Sequence, residues 1–234
     1  MQSDNKGESL YTRTEMMLGA DAVSKLSSSH VAIFGVGGVG GYAAEAVARA
    51  GVGKITLIDP DRVSISNINR QIIALHSTLG ENKAEAMKKR ILDINPECEV
   101  TAIPKFYSEE CYSDFDFSDY TYIIDAIDST KSKIGLITRA KGEGISIISS
   151  MGAGNKLDPT RFCVADIYQT SVDPLARVIR NACRRAKITG LKVVFSDEAP
   201  IGERDVGAPG SVSFIPSVAG LILAGEVIKD IVNM

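Results

Sequence analysis

Apolar residues recur along this chain in two rhythms. From Thr14 to Leu26, Met16, Met17, Leu18, Ala22, Val23 and Leu26 follow a helical spacing, which predicts a helix or helix pair with Arg13 just ahead of it. A short β-branched run, His30 to Val36, then leads through a glycine turn into a helix from Gly41 to Ala50. Gly51-Val52-Gly53 ends that helix, and Lys54 to Ile58 reads as a second strand. Between Gly80 and Asn95, Ala84, Met87, Ile91 and Ile94 share one face and Lys83, Lys88, Lys89 and Arg90 lie elsewhere, so an amphipathic helix closes at Asn95-Pro96. Further strands are expected at 99–106, 120–127 and 145–151, with a helix at 129–142. Strand and helix alternate, which predicts an α/β fold with a mostly parallel sheet and helices on both faces.

Beyond Gly152 the pattern changes to a strand near 161–167, a helix from about 173 to 187 and a strand at 191–195, a C-terminal strand/helix extension. The stretch 196–210, rich in glycine, proline and charge, has no periodicity and is expected to be mobile. A last helix from about Ser217 to Asn233 docks the end of the chain. No internal repeat or low-complexity linker divides the sequence, so one domain is expected over 1–234, with a helical segment at 1–29, a core at 30–152 and an extension at 153–234.

Composition narrows the class. With 234 residues, 44% of them hydrophobic, the chain can bury a sizeable core. A formal charge of -3 argues against a generally basic nucleic-acid binder, so any RNA contact must come from a local patch. Cys98, Cys111, Cys163 and Cys183 are scattered without close C-x-x-C spacing, so no zinc is expected. The polar N-terminus has no apolar leader, and no uninterrupted run reaches the roughly 18 apolar residues of a membrane span. The apolar stretch 215–232 carries Glu226, Lys229 and Asp230, the mark of a half-buried helix. A cytoplasmic protein with no membrane contact is the expectation.

The candidate chemistry begins at Gly35-Val36-Gly37-Gly38-Val39-Gly40, between the first strand and its helix. There, backbone N–H groups and a helix N-terminus can receive a phosphate, as in Rossmann-like folds. Asp59, ending the second strand, suits a ribose. Up to Pro60 a dinucleotide-binding redox module remains open. However, NAD needs neither Asp61 nor the cluster Asn67, Arg70, Gln71 and Lys83, whereas a triphosphate needs cations for its outer phosphates; the bland reading is a solvated charged face. Asp125 and Asp128 end the fourth strand at the same carboxyl edge, where open sheets bind ligands. Asp128 is either a carboxylate for Mg²⁺ or the N-cap of the next helix, and Asp125 is a candidate cap.

In this order, GxGGxG, DPD, SNxxRQ, GxxK and DxxD, the chain resembles the ubiquitin-activating-enzyme-like (ThiF/MoeB-type) superfamily, which transfers AMP to a carboxylate. The resemblance implies that Gly35, Gly37, Gly38, Gly40, Asp59 and Asp61 form the ATP pocket. It further implies that Asn67, Arg70, Gln71 and Lys83 act on the phosphates, and that Asp128 handles Mg²⁺ with ATP. Arg13 matches an arginine that reaches the triphosphate from the second subunit of a homodimer. Met151-Gly152-Ala153-Gly154-Asn155-Lys156-Leu157-Asp158-Pro159, Asp173-Pro174-Leu175-Ala176-Arg177, Val194 to Glu198 and Pro216 to Gly220 are similar to the tRNA threonylcarbamoyladenosine dehydratase branch. That branch implies adenylation of the threonyl carboxylate of the modified adenosine, ring closure by a nitrogen of the same side chain, and association with a cysteine desulfurase and its sulfur acceptor. The rival is an enzyme activating the C-terminal carboxylate of a ubiquitin-like sulfur carrier, a branch that commonly carries paired C-x-x-C motifs absent here. A monovalent cation among the carbonyls of 152–158 is a further expectation.

For tRNA, Arg177, Arg180, Arg184 and Lys187 fall on one helical stripe, with no acid from Pro174 to Lys192; an ordinary solvated face is the alternative. Lys156 and Arg161 are expected to extend the patch. Leu175, Val178, Ile179, Ala182, Cys183 and Ala186 form the opposite, apolar face, which makes Cys183 a core residue, and Cys163 is expected within a strand. His30 is expected to be structural and His76 a loop residue.

Overall fold

The computed structural model describes residues 9–201 and 209–234. Of the stretch expected to be mobile, residues 202–208 lie outside the described residues. The element order is α1 (Thr12–Leu18), α2 (Ala20–Ser27), β1 (His30–Phe34), α3 (Gly40–Ala50), β2 (Lys54–Ile58), α4 (Lys83–Ile94), β3 (Glu99–Ile103), β4 (Tyr122–Asp125), α5 (Thr130–Gly142), β5 (Ser146–Ser150), β6 (Phe162–Asp166), α6 (Pro174–Arg185), β7 (Lys192–Ser196) and α7 (Phe214–Val232). One sheet has the order β3-β2-β1-β4-β5-β7-β6, parallel throughout except for the β6–β7 pair. The α/β, Rossmann-like, mostly parallel architecture is therefore the one predicted. Among the described residues no helix is long and apolar enough to cross a membrane.

The pleat of the sheet sends alternate residues of each strand to opposite faces, and the two faces carry separate cores. Val31 and Ile33 of β1, Ile55 and Leu57 of β2, and Ile124 of β4 pack under α3, α4 and α7. Ala32, Phe34, Ile123 and Ile147 face α5, α6 and an aromatic cluster of Tyr107, Phe115, Phe117 and Tyr120. Burying both faces explains why these strands read as continuous apolar runs.

Helix α7 lies across α3 at very short range. A Cβ on Gly220 would stand 2.2 Å from the Val39 carbonyl oxygen, so only glycine permits this crossing. The far end of α7 is tied down by Asp230, which accepts hydrogen bonds from Lys192 Nζ (2.6 and 2.8 Å) and Tyr122 Oη (2.6 Å). At its near end Pro216 touches Gly38, whose added Cβ would meet it at 3.1 Å. The last helix thus forms part of the wall around the glycine loop.

The leading helices are the pair that the spacing allowed, with Arg13 inside α1 rather than ahead of it. No residue of α1 is buried, and Met16 and Met17 are each 81% exposed. Its anchor is the preceding Tyr11, whose ring meets the space above Gly51 at the C-terminal end of α3.

Candidate active site

The glycine turn follows from its neighbours. Gly35 has φ +88°, and a Cβ there would strike the Ala126 carbonyl oxygen at 2.5 Å, while a Cβ on Gly40 would sit 1.8 Å from the Gly35 carbonyl oxygen. Both positions need glycine for space, and Gly35 also for its backbone angle. The Gly35 N–H donates to the Ile58 carbonyl (2.8 Å) and the Ala126 N–H to the Phe34 carbonyl (2.8 Å), so the turn is held between the ends of β2 and β4. This is the carboxyl edge of the sheet, where such folds take ligands.

Asp59 is buried beside the turn. Its Oδ2 accepts from the Val36 N–H (2.7 Å) and its Oδ1 from the Asp61 N–H (2.9 Å). Burial raises its pKa, and the two N–H groups and nearby Lys83 oppose that rise. Each carboxylate oxygen has a second lone pair, so a ribose hydroxyl can still donate to it. Asp59 therefore shapes the loop as well as offering an acceptor.

The cationic side comes from an antiparallel return. The Lys83 N–H donates to the Asp61 carbonyl (2.9 Å), and Asn82 caps α4 by accepting from the Ala84 N–H (2.9 Å) while its Nδ2 donates to the Asp61 carbonyl (3.2 Å). This places the Lys83 ammonium 2.8 Å from Asp61 Oδ2, with the lysine side chain nearly buried and Asp61 open. Asn67 is buried and accepts from the Ser64 N–H (3.1 Å), closing a single 3₁₀ turn over Ile65–Asn67. Gln71 is also buried, close to Gly37, and its Oε1 has no hydrogen-bond partner among the described residues. It is the Nε2 side of the amide, a donor, that stands near Gly37 of the glycine loop.

Arg70 is on the same segment but turned aside: its Nη1 donates to the Ser66 carbonyl and Asn69 Oδ1, both at 2.9 Å. Asp128 is exposed; the N-cap of α5 is Ser129, so Asp128 is not the cap that sequence left open. Asp125 does not cap the helix either. It is fully buried and accepts from Lys133 Nζ (2.9 Å), Ser149 Oγ (2.6 Å) and the Ile127 N–H (3.1 Å), with Lys133 equally buried. Sequence reasoning missed Lys133, whose only signal was a lysine on the inner side of an otherwise apolar helical face.

Arg13 is not brought to this site. It is exposed on α1 next to Tyr11, at the far end of α3 from the glycine loop, and α3 with its 11 residues spans about 16 Å.

On the other side of the edge, Asp173 caps α6 by accepting from the Ala176 N–H (2.9 Å) and from the Gly152 N–H (2.9 Å). Arg177 and Arg184 are exposed on α6, Lys187 follows its end, and Arg180 Nη1 donates to the Thr170 carbonyl (2.8 Å) and Oγ1 (2.6 Å). Lys156 must be removed from the basic patch. It is buried, its Nζ donates to the Glu198 carbonyl (2.7 Å), and burial lowers its pKa. The Glu198 carboxylate in turn accepts from the Leu157 and Asp158 N–H groups, both at 3.0 Å, so Lys156 and Glu198 fasten two loops together. Arg161 is paired with Asp197 at 2.8 Å. Val178 and Ala186, assigned to the apolar face, are exposed; Ala176, Ile179, Ala182 and Cys183 of α6 are buried in the core and Leu175 packs partly against it.

Burial works against the thiolate form at Cys98, Cys163 and Cys183. Cys98 and Cys183 are buried, and burial pushes the Cys98 pKa up to about 11 and raises that of Cys183. Cys163 is in β6 as expected but exposed, since β6 is the sheet's outer strand; partial burial still raises its pKa. His30 is buried between Thr56 (2.8 Å) and Asp119 (3.0 Å), and His76 sits exposed in a single turn. His30 begins β1 and so stands at the opposite edge of the sheet from the glycine turn.

The ThiF family matches residues 11–234. The chain is 48% identical over 240 aligned residues to the tRNA threonylcarbamoyladenosine dehydratase of Bacillus subtilis, an alignment that covers 95% of this chain and 94% of that one. Its fold is similar to that of the Escherichia coli tRNA N6-threonylcarbamoyladenosine dehydratase, TcdA. The complex of that enzyme with AMP gives a TM-score of 0.87 at 36% identity, covering 94% of this chain and 93% of that one. The complex with ATP gives 0.88 at 35% identity, covering 95% and 93%. Together with the glycine turn, Asp59 and the Lys83 return, these likenesses settle the affiliation: the chain belongs to the ThiF family, in the branch of the tRNA threonylcarbamoyladenosine dehydratases.

Proposed function

We propose that this protein is an ATP-dependent enzyme that adenylates the threonyl carboxylate of threonylcarbamoyladenosine in tRNA and then cyclises it. The observation that carries this reading is the pairing, at one sheet edge, of a glycine turn with the nearby Nε2 donor of Gln71 and the tethered ammonium of Lys83. A dinucleotide's bridging phosphates need no such added cation, whereas a triphosphate does.

In this reading the backbone N–H groups at the start of α3 and the Gln71 amide hold phosphate oxygens, and Asp59 accepts from the ribose. Lys83 leans on the charge that grows as pyrophosphate departs. Arg70 needs only a side-chain rotation away from Ser66 and Asn69 to join it. The threonyl carboxylate attacks the α-phosphorus and pyrophosphate leaves. A nitrogen of the same side chain then attacks the acyl carbon, loses its proton, and AMP leaves with the former carboxylate oxygen. Because the nucleophile is already tethered, orientation supplies much of the rate and no protein thiol is required.

Among the described residues no three His, Cys, Asp or Glu side chains gather as a cage for a metal ion. Asp128, exposed and not engaged as a helix cap, fits a Mg²⁺ that takes its other ligands from phosphate and water. When bound, that ion would neutralise phosphate charge. Arg13, remote from the site of its own chain, fits one contributed to a second copy. Arg177, Arg180, Arg184 and Lys187 are the surface offered to tRNA.

The test is to incubate the protein with ATP, Mg²⁺ and tRNA bearing the modification, then digest and weigh the nucleosides. A species lighter by one water is expected, and its absence would overturn the reading. Pyrophosphate release driven by a ubiquitin-like sulfur carrier instead of tRNA would favour the rival adenylating function.

A further inference from the structure

Next to the carboxyl edge, a surface pocket of about 300 Å³ is lined by Val172, Asp173, Pro174, Arg177 and Arg180. We infer that this pocket is a socket for one backbone phosphodiester of the RNA, which sets the register of the modified nucleotide over the adenylation site. The inference rests on the proposed tRNA reading and sharpens it, separating one built subsite from a diffuse basic stripe.

Four observations carry it. First, Arg180 is pre-positioned: its Nη1 is fixed on the Thr170 carbonyl and Oγ1, and Thr170 Oγ1 is itself oriented by donating to the Ile167 carbonyl at 2.7 Å. Nε and Nη2 make no hydrogen bond among the described residues, which leaves one edge of a fixed planar fork for an anion. Second, Arg177 lies one helical turn away on the same wall, exposed and without a partner among the described residues. Third, the single acid in the lining is already occupied, since Asp173 accepts from the Gly152 and Ala176 N–H groups and is buried. It keeps its charge but forms no ion pair with either arginine, so the arginine N–H groups are not taken up by it.

The fourth concerns the rim. Val172 has φ +61°, a conformation that a β-branched residue rarely takes, and the Asp173 N–H donates back to the Ser171 carbonyl at 2.5 Å. That backbone path leaves the valine on the pocket's rim, 56% exposed. The volume sits at the lower end of the roughly 300–1,000 Å³ found for small-ligand pockets, room for a phosphate with its sugar rather than a base stack. The Asp173–Gly152 bond ties this pocket to the end of β5, two strands from the glycine loop, so a phosphate held here lies within the same edge as the reacting carboxylate. Arg184, by contrast, sits farther along α6 over the Tyr168 ring, 5.7 Å from its centre, and outside the pocket.

A short anticodon stem-loop RNA bearing the modification, synthesised as a set with one backbone phosphate at a time replaced by an uncharged methylphosphonate, tests the inference on the full-length protein. In wild type, one replacement should weaken binding by roughly 10-fold or more, the loss of a charged hydrogen bond. Against Arg180→Ala the same replacement should cost nothing further, while Arg184→Ala should leave its effect intact. Equal losses at every position, or an unaltered profile in Arg180→Ala, would overturn the socket. Mass measurement of the cyclised product from the unsubstituted stem-loop keeps the two failures apart. Dehydration without a coupled phosphate sinks the socket alone, and no dehydration sinks the function on which it rests.

Discussion

Lys133→Met removes the ammonium from a pair that is completely excluded from water. In the native protein Lys133 Nζ donates to Asp125 Oδ2 (2.9 Å), Ser149 Oγ (3.2 Å) and the Ser150 carbonyl (3.0 Å), and both charged side chains have 0% exposure. The variant leaves the Asp125 carboxylate with only the Ser149 hydroxyl and the Ile127 N–H. Breaking one side of a buried pair costs about 3–5 kcal/mol, far beyond the ~1 kcal/mol of an exposed pair. For a chain of this size each kcal/mol moves the melting temperature by roughly 2–4 °C, so a fall of about 6–20 °C is expected. Asp125→Asn added to Lys133→Met takes away the stranded charge while keeping an acceptor for Ile127, and should recover most of the loss. Denaturant titration and calorimetry of wild type, both single variants and the double variant measure the coupling. A single variant within ~1 kcal/mol of wild type, or a double variant whose loss is the sum of the two, would refute the assignment. The ATP affinity of the double variant adds a second readout, because Asp125 Oδ1 also holds the turn that carries Asp128.

Lys83→Ala should lower ATP-dependent pyrophosphate release by roughly 10–150-fold, the range for losing a charge-assisted hydrogen bond; unchanged release would remove Lys83 from the chemistry. Gly40→Ala should abolish ATP binding measured by calorimetry, since its Cβ would lie 1.8 Å from the Gly35 carbonyl oxygen, whereas Gly142→Ala at the end of α5, with nothing within 4 Å, should bind normally. Asp230 has a lowered pKa: burial works the other way, but hydrogen bonds from Lys192 and Tyr122 outweigh it. The unfolded chain then binds the extra proton, so this contribution is complete above the ordinary carboxylate pKa of ~4 and disappears as pH falls through the depressed folded value. The stability gap between wild type and Asp230→Asn in urea should accordingly shrink on acidification below about pH 4, and a gap that widens would contradict the sign.

The strands were legible because each is buried on both faces and announces itself as an apolar run with turn residues at its ends. The glycine turn, Asp59 and Lys83 were legible because a strand–turn–helix unit fixes where residues at those offsets must stand. What escaped depended on partners distant in sequence. Lys156 read as surface charge, yet Glu198 draws it inside. The partners that Arg70 takes here, the Ser66 carbonyl and Asn69 Oδ1, left no mark in the sequence pattern. Met16 and Met17 obeyed helical spacing without a neighbouring element to cover them. Single turns such as Ile65–Asn67 and Ile167–Gln169 are too short for any period to show, although the second orients the threonine that fixes Arg180.

Asn155, in the left-handed region at φ +56°, is a clasp. Its carbonyl accepts from the Ile201 N–H (2.7 Å), its N–H donates to the Gly210 carbonyl (2.8 Å), and its Oδ1 accepts from the Gly210 N–H (2.6 Å). The chain leaves and returns at one residue, so what lies between is closed at its base whatever its length. Doubling such a loop costs only about 0.6 kcal/mol in closure entropy. Lengthening the chain between Ile201 and Gly210 should therefore cost little in closure entropy, because Asn155 already holds both of these ends.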